Sequence, residues 1–118
     1  MEENVTLIVD GRFGPYNMRQ VIVDGEVRLL PDRAFRGLVV LACARTRTAD
    51  GWVPNDQFDS LEDGRTAARL TRSVLGIPVE WTRDRQGSRR LALPSKRIRF
   101  NTELLKNDED TRIAQLFR

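Results

Sequence analysis

The sequence predicts an α+β fold, and three observations carry that expectation. The first 31 residues hold three short β-prone runs, the last two separated by Asp24-Gly25. Two later stretches, 31–47 and 64–76, repeat apolar residues at helical spacing. Residues 77–93 then return to two short β-prone runs around a polar turn. A chain of 118 residues is long enough to bury a core without metals or disulfides and short enough to be one domain.

Each element has its own local reason. "NVTLIVD" (4–10) is β-branched and apolar and reads as a strand. "GRFGPYN" (11–17) reads as a loop from its Gly, Pro and Asn. "RQVIVDGEVRLLP" (19–31) reads as two strands joined at Asp24-Gly25, because both residues tolerate the positive φ of a two-residue hairpin turn. "PDRAFRGLVVLACARTR" (31–47) reads as a helix. Pro31 stands at or near its first position, Asp32 in its first turn, and Arg45 and Arg47 at its end, with Phe35, Leu38, Val39 and Ala42 as the inner stripe. "TADGWVP" (48–54) is a turn with a short extended piece, and Asn55 is an N-cap for a short helix at 56–61. After the helix between Gly64 and Gly76, "IPVEWTR", "DRQG" and "SRRLAL" make a strand, a turn and a returning strand. That hairpin, 79–93, crowds Arg83, Arg85, Arg89 and Arg90 towards its tip, and Trp52 and Trp81 are expected in the core or at its base. Beyond Pro94, "SKRIRF" is a further strand, and "NTELLKN" and "DEDTRIAQLF" are short helices capped by Asn101 and by Asp108 or Asp110.

Charge is unevenly distributed. The net charge is +3, but residues 61–100 alone hold ten Lys/Arg against four Asp/Glu. Of the 20 basic residues, 18 are arginine, the side chain suited to bidentate contact with phosphate and guanine; an arginine-favouring codon usage produces the same bias. In "GRTAARLTRSVLG" (64–76), Arg65, Arg69 and Arg72 are spaced four and three apart, which groups them within about 60° on a helix. Ala67, Leu70 and Val74 fall on the other side. Such a ridge is either a solvated face or the footprint of a polyanion partner.

Rival chemistries find little to build on. There is no histidine, which removes His-based triads and His-ligated metals, and the single cysteine excludes a four-cysteine zinc site. Cys43 lies within "GLVVLACA" and reads as a buried small hydrophobe. No phosphate-loop motif is present, and the carboxylates Asp56, Asp59, Glu62 and Asp63 do not match a calcium loop. No enzyme activity, cofactor or metal is expected. The longest apolar run is too short to span a bilayer and no leader pattern is visible, so a cytoplasmic protein is expected.

In order, the pieces are a strand hairpin, a long helix, a short helix, the arginine helix and a basic hairpin. That is the layout of a winged helix-turn-helix with an N-terminal antiparallel β-sheet, a C-terminal β-hairpin wing and a short C-terminal helical tail. The domain spans 1–93, and 94–118 is an extension for docking or dimerisation. "VDGEVRLLPDRAFRGLVVLACA", "DGWVPNDQF" and "GRTAARLTRSVLGIPVEW" resemble the OmpR-like effector domains of bacterial response regulators over roughly residues 20–93. The resemblance implies a recognition helix carrying Arg65, Thr66, Arg69, Arg72 and Ser73, a wing carrying Arg83, Arg85, Arg89 and Arg90, and sequence-specific binding of double-stranded DNA by a small transcription regulator. The loop before the arginine helix is shorter than in that family, so contact with RNA polymerase is not carried over. The alternative is a winged helix that meets an acidic protein. In the tail, Ile113, Leu116 and Phe117 share one face; it either closes the chain's own core or packs on a second copy as a homodimer.

Overall fold

The computed structural model describes residues 5–82 and 87–118, and it is an α+β fold. The hairpin forms where Asp24-Gly25 places it: Arg19–Val23 (β2) pairs antiparallel with Glu26–Leu30 (β3), and Asp24 and Gly25 both take positive φ, 52° and 82°. Leu7–Phe13 (β1) pairs antiparallel with β2 and runs past the expected end of the strand into the region read as a loop. Its register shifts between Val9 and Phe13, where three residues of β1 lie between the paired positions against one of β2. A 3-10 turn at Pro15–Asn17 completes the loop.

The sheet is mixed rather than purely antiparallel. Ile98–Phe100 (β6) lies parallel to β1, giving the order β3-β2-β1-β6. A parallel pair needs a long crossover, and here nearly the whole intervening chain supplies it. Residues 94–118 therefore provide an edge strand and, through Ile98, Leu105 and Ile113, part of the same core as the N-terminal strands. Thr102–Leu105 (α3) and Thr111–Ala114 (α4) are single turns that follow Asn101 and Asp110. Phe117 packs on Phe100 with ring centroids 5.2 Å apart.

Asp32–Arg47 (α1) follows Pro31 and buries the expected stripe: Phe35, Leu38, Val39 and Ala42 are fully enclosed. Each of the larger three contributes about 1.5–3 kcal/mol by leaving water. α1 packs closely on Leu61–Leu75 (α2): a Cβ added to Gly37 would lie 2.3 Å from the Cβ of Ala67. Only a residue without a side chain lets the two backbones approach so near.

The short helix expected at 56–61 does not form. In its place stands a 3-10 turn, Asn55–Gln57. Two competing demands explain this. Phe58 is drawn into the core under Gly64, 7% exposed. Ser60 is taken as the N-cap of α2, its Oγ accepting from the Asp63 amide at 3.0 Å. α2 consequently begins at Leu61, three residues before Gly64, with Glu62 and Asp63 in its first turn. Gly76 closes it in the left-handed conformation, as its sequence position suggests. Val79–Trp81 (β4) and Arg89–Leu91 (β5) form the second hairpin, and Val53 joins it through an antiparallel bridge to Arg89. Among the described residues no helix is long and apolar enough to cross a membrane.

Candidate nucleic-acid interface

α2 and the β4–β5 hairpin enclose a groove of about 540 Å³ lined by Glu62, Arg65, Ala68, Arg69, Arg72, Trp81 and Arg89. The helix contributes as its spacing requires. Arg65, Arg69, Arg72 and Ser73 are exposed, Thr66 is half-buried, and Ala67, Ala68 and Thr71 face inward. Among the described residues no carboxylate lies within 4.0 Å of Arg65, Arg69 or Arg72. The Arg72 guanidinium donates to the Val79 carbonyl at 3.2 Å, which ties the end of the ridge to β4.

The wing residues separate. Arg83 and Arg85 lie outside the described residues. Arg89 is not an exposed wing arginine: it is 8% exposed, its backbone exchanges hydrogen bonds with Val53 at 2.7 and 2.9 Å, and its guanidinium donates to the Asn55 side chain. Burial, then the charges of Arg65 and Arg72, hold the Arg89 pKa below its ordinary value. Arg90 is paired on its own side of the hairpin. Its Nε donates to Glu80 at 2.9 Å, its Nη1 donates to the Asp50 carbonyl at 3.1 Å, and the guanidinium lies 4.3 Å from the centre of the Trp52 ring. Successive strand residues point to opposite faces. Leu91 is buried, so Arg89 shares the core-side face and Arg90 the other. Alternation in "RRL" was the signal that distinguishes the two arginines.

Two further residues belong to the site. Trp81, expected in the core or at the hairpin base, is 53% exposed and lines the groove. Its place follows from register: it stands opposite Arg89, two residues beyond the buried pair Val79–Leu91 and on the same face. Asn55, expected as a helix cap, instead holds Arg89. Gly87 makes room for this, since a Cβ there would fall 2.5 Å from Asn55 Nδ2.

The groove is therefore a cationic, water-accessible surface with one aromatic wall, and Glu62 is its one carboxylate among the described lining residues. A scan of protein-family models and searches of curated proteins and of solved structures return no match to this chain.

Proposed function

We propose that this chain binds double-stranded DNA, laying α2 in the major groove with the β4–β5 hairpin beside it, as a regulator of the OmpR-like winged-helix kind. The observation that carries the reading is the ridge: three exposed arginines on one helix face, with no carboxylate partner among the described residues. A solvated face of ordinary type mixes charges of both signs and pairs them; here three arginines face one carboxylate, Glu62, among the described lining residues, and none of the three lies within 4.0 Å of a described carboxylate. A helix fits a major groove about 12 Å wide, where arginine reaches both phosphates and guanine edges.

The order α1, Val53 bridge, α2, hairpin agrees with a winged helix. The first helix of the helix-turn-helix is reduced to the single turn Asn55–Gln57, so α2 is braced mainly by α1, through the contact at Gly37 and Ala67. Arg65, Arg69 and Arg72 are the primary contacts in this reading, Thr66 and Ser73 flank them, and Trp81 adds an apolar surface. Arg90 is left out, being held by Glu80 and Trp52.

Fluorescence anisotropy with a labelled duplex tests this at about 50 and 200 mM salt. Binding should weaken steeply with salt as displaced counterions are recovered. Arg69→Ala should weaken binding to a selected site by about 1–3 kcal/mol. Absence of duplex binding at the lower salt, across random and genomic fragments, overturns the reading, and binding of an acidic protein by the same ridge would then replace it.

A further inference from the structure

Arg89 is a buried arginine with no carboxylate partner among the described residues. Charged side chains removed from water are ordinarily met by opposite charge. Arg19, the other buried arginine among the described residues, obeys this: it pairs with Asp32 and Asp108 and packs on the rings of Phe13 and Phe35. Arg89 has a neutral amide from Asn55 instead, and it shares the lining of the groove with Arg65, Arg69, Arg72 and the single carboxylate Glu62 among the described lining residues. No described carboxylate lies within 4.0 Å of Arg65, Arg72 or Arg89.

The position is also rigidly held. Two backbone hydrogen bonds to Val53 fix β5 at Arg89, and Asn55 fixes its side chain. Arg72 is anchored to Val79. The Arg72 and Arg89 donors are in place before any ligand arrives, which lowers the entropy cost of binding. Each guanidinium offers five N–H donors, so three together present more donors than one carboxylate can accept. A phosphate group has more acceptor oxygens and more charge, and it matches the guanidinium fork.

We propose that Arg65, Arg72 and Arg89 form a discrete pocket for one phosphate group, with Trp81 as the wall beside the phosphate's carrier. The proposal rests on the polyanion reading of this groove and adds where in it a phosphate sits. The shared chemistry is a phosphate ester. Its source is either the backbone of a duplex or a free nucleotide, and Arg69 and Trp81 line the same groove of about 540 Å³.

Thermal unfolding and calorimetry of the full chain test the pocket with inorganic phosphate as probe, against sodium chloride at equal ionic strength. Phosphate stabilises many proteins by exclusion from their surface, so the variants carry the test. Phosphate should raise the Tm of the wild type in a saturable way and bind Arg65→Gln and Arg89→Gln roughly tenfold or more weaker, as expected for a lost charged hydrogen bond. Arg65 is exposed, so Arg65→Gln keeps the fold should Arg89→Gln lose it. Equal stabilisation of wild type and Arg65→Gln overturns the pocket. Two further arms, a deoxynucleoside monophosphate and a labelled duplex, distinguish the source. Equal phosphate stabilisation with duplex binding retained removes the pocket and leaves the DNA reading standing, whereas duplex binding unaffected by Arg65→Gln, with phosphate binding lost, assigns the pocket to a free nucleotide and removes Arg65 from the duplex contacts. Saturable phosphate and nucleotide binding without duplex binding keeps the pocket and removes the DNA reading.

Discussion

Arg36 and Arg65 are arginines on neighbouring helices, and their surroundings are opposite. Arg36 lies against four carboxylates: Asp59 at 2.8 Å, Asp110 at 3.3 Å, Asp32 at 3.6 Å and Asp63 at 3.8 Å. Arg112 joins the same group through Asp59 and Asp110, and Arg19 closes it off through Asp32 and Asp108. Arg65, with Arg69 and Arg72, meets no described carboxylate and turns to solvent. One side of the molecule thus uses arginine to bind its own segments together; the other leaves arginine available. The acidic residues decide which is which. Asp59, Asp63 and Asp110 converge on Arg36, and Asp59 and Asp110 also on Arg112, so carboxylates far apart in the sequence are the inner partners of one network.

The largest expected effect breaks the paired side outright. Deleting residues 108–118 removes Asp108 and Asp110 together with the fully buried Ile113 and Ala114. Losing one buried ion-pair partner costs about 3–5 kcal/mol, and losing a buried aliphatic side chain about 2–5 kcal/mol. Their sum rivals the entire stability of a small domain, about 5–15 kcal/mol. The truncated chain should show no cooperative thermal transition by circular dichroism. A truncation that melts at the wild-type temperature would mean that the tail is dispensable to the core.

Next in size is Arg19→Ala. Asp108 has a side chain 4% exposed, so without Arg19 it becomes a buried, unpaired charge, and urea unfolding should show a loss of about 3–5 kcal/mol. Adding Asp108→Asn to that variant should recover part of the loss. No recovery would assign the effect to the lost packing on Phe13 and Phe35 rather than to charge. The two regions also predict a crossed result. Arg36→Ala should destabilise the fold and leave duplex affinity of the remaining folded protein intact. Arg69→Ala should change stability by less than about 0.5 kcal/mol and duplex affinity by about 1–3 kcal/mol. Parallel losses in both assays for both variants would erase the distinction.

These contrasts were partly visible in the sequence. The hairpin at Asp24-Gly25, the α1 stripe and the ridge of α2 rest on neighbours within one or two turns, and local chemistry decided them. The failures share a different cause. The helix expected at 56–61 lost its residues to a buried Phe58 and a cap at Ser60, a competition between two starts that local propensity does not rank. The parallel pairing of β6 with β1 spans about ninety residues, and the network around Arg36 joins segments up to 89 residues apart. Neither leaves a local trace. Arg89 and Arg90 were treated alike because charge was counted without strand alternation; register places one in the groove and the other against Glu80.

The smallest effect separates the two regions by pH. Burial alone would raise the Asp110 pKa, but hydrogen bonds from the side chain and backbone of Arg112, with the charges of Arg112 and Arg36, bring it below its ordinary value of 3.8. A carboxylate depressed in the folded state binds its proton more readily when unfolded. Its stabilisation is therefore complete above the unfolded pKa and disappears as pH falls through the lower, folded one. Asp110→Asn keeps a side-chain oxygen for the Arg112 amide, which Asp110 now caps, so the substitution removes charge while the turn stays capped. At neutral pH the variant should be less stable than the wild type, and the gap should close as pH drops below 3.8. The companion variant Arg65→Gln should show no such convergence. Arginine stays protonated over this range, and Arg65 has no described carboxylate within 4.0 Å whose titration would couple to it. Urea unfolding of wild type and both variants from pH 7 to pH 3 measures the two gaps directly. A gap for Asp110→Asn that is constant with pH would show that the Asp110 charge contributes nothing and that the arginines around it are held by their other partners.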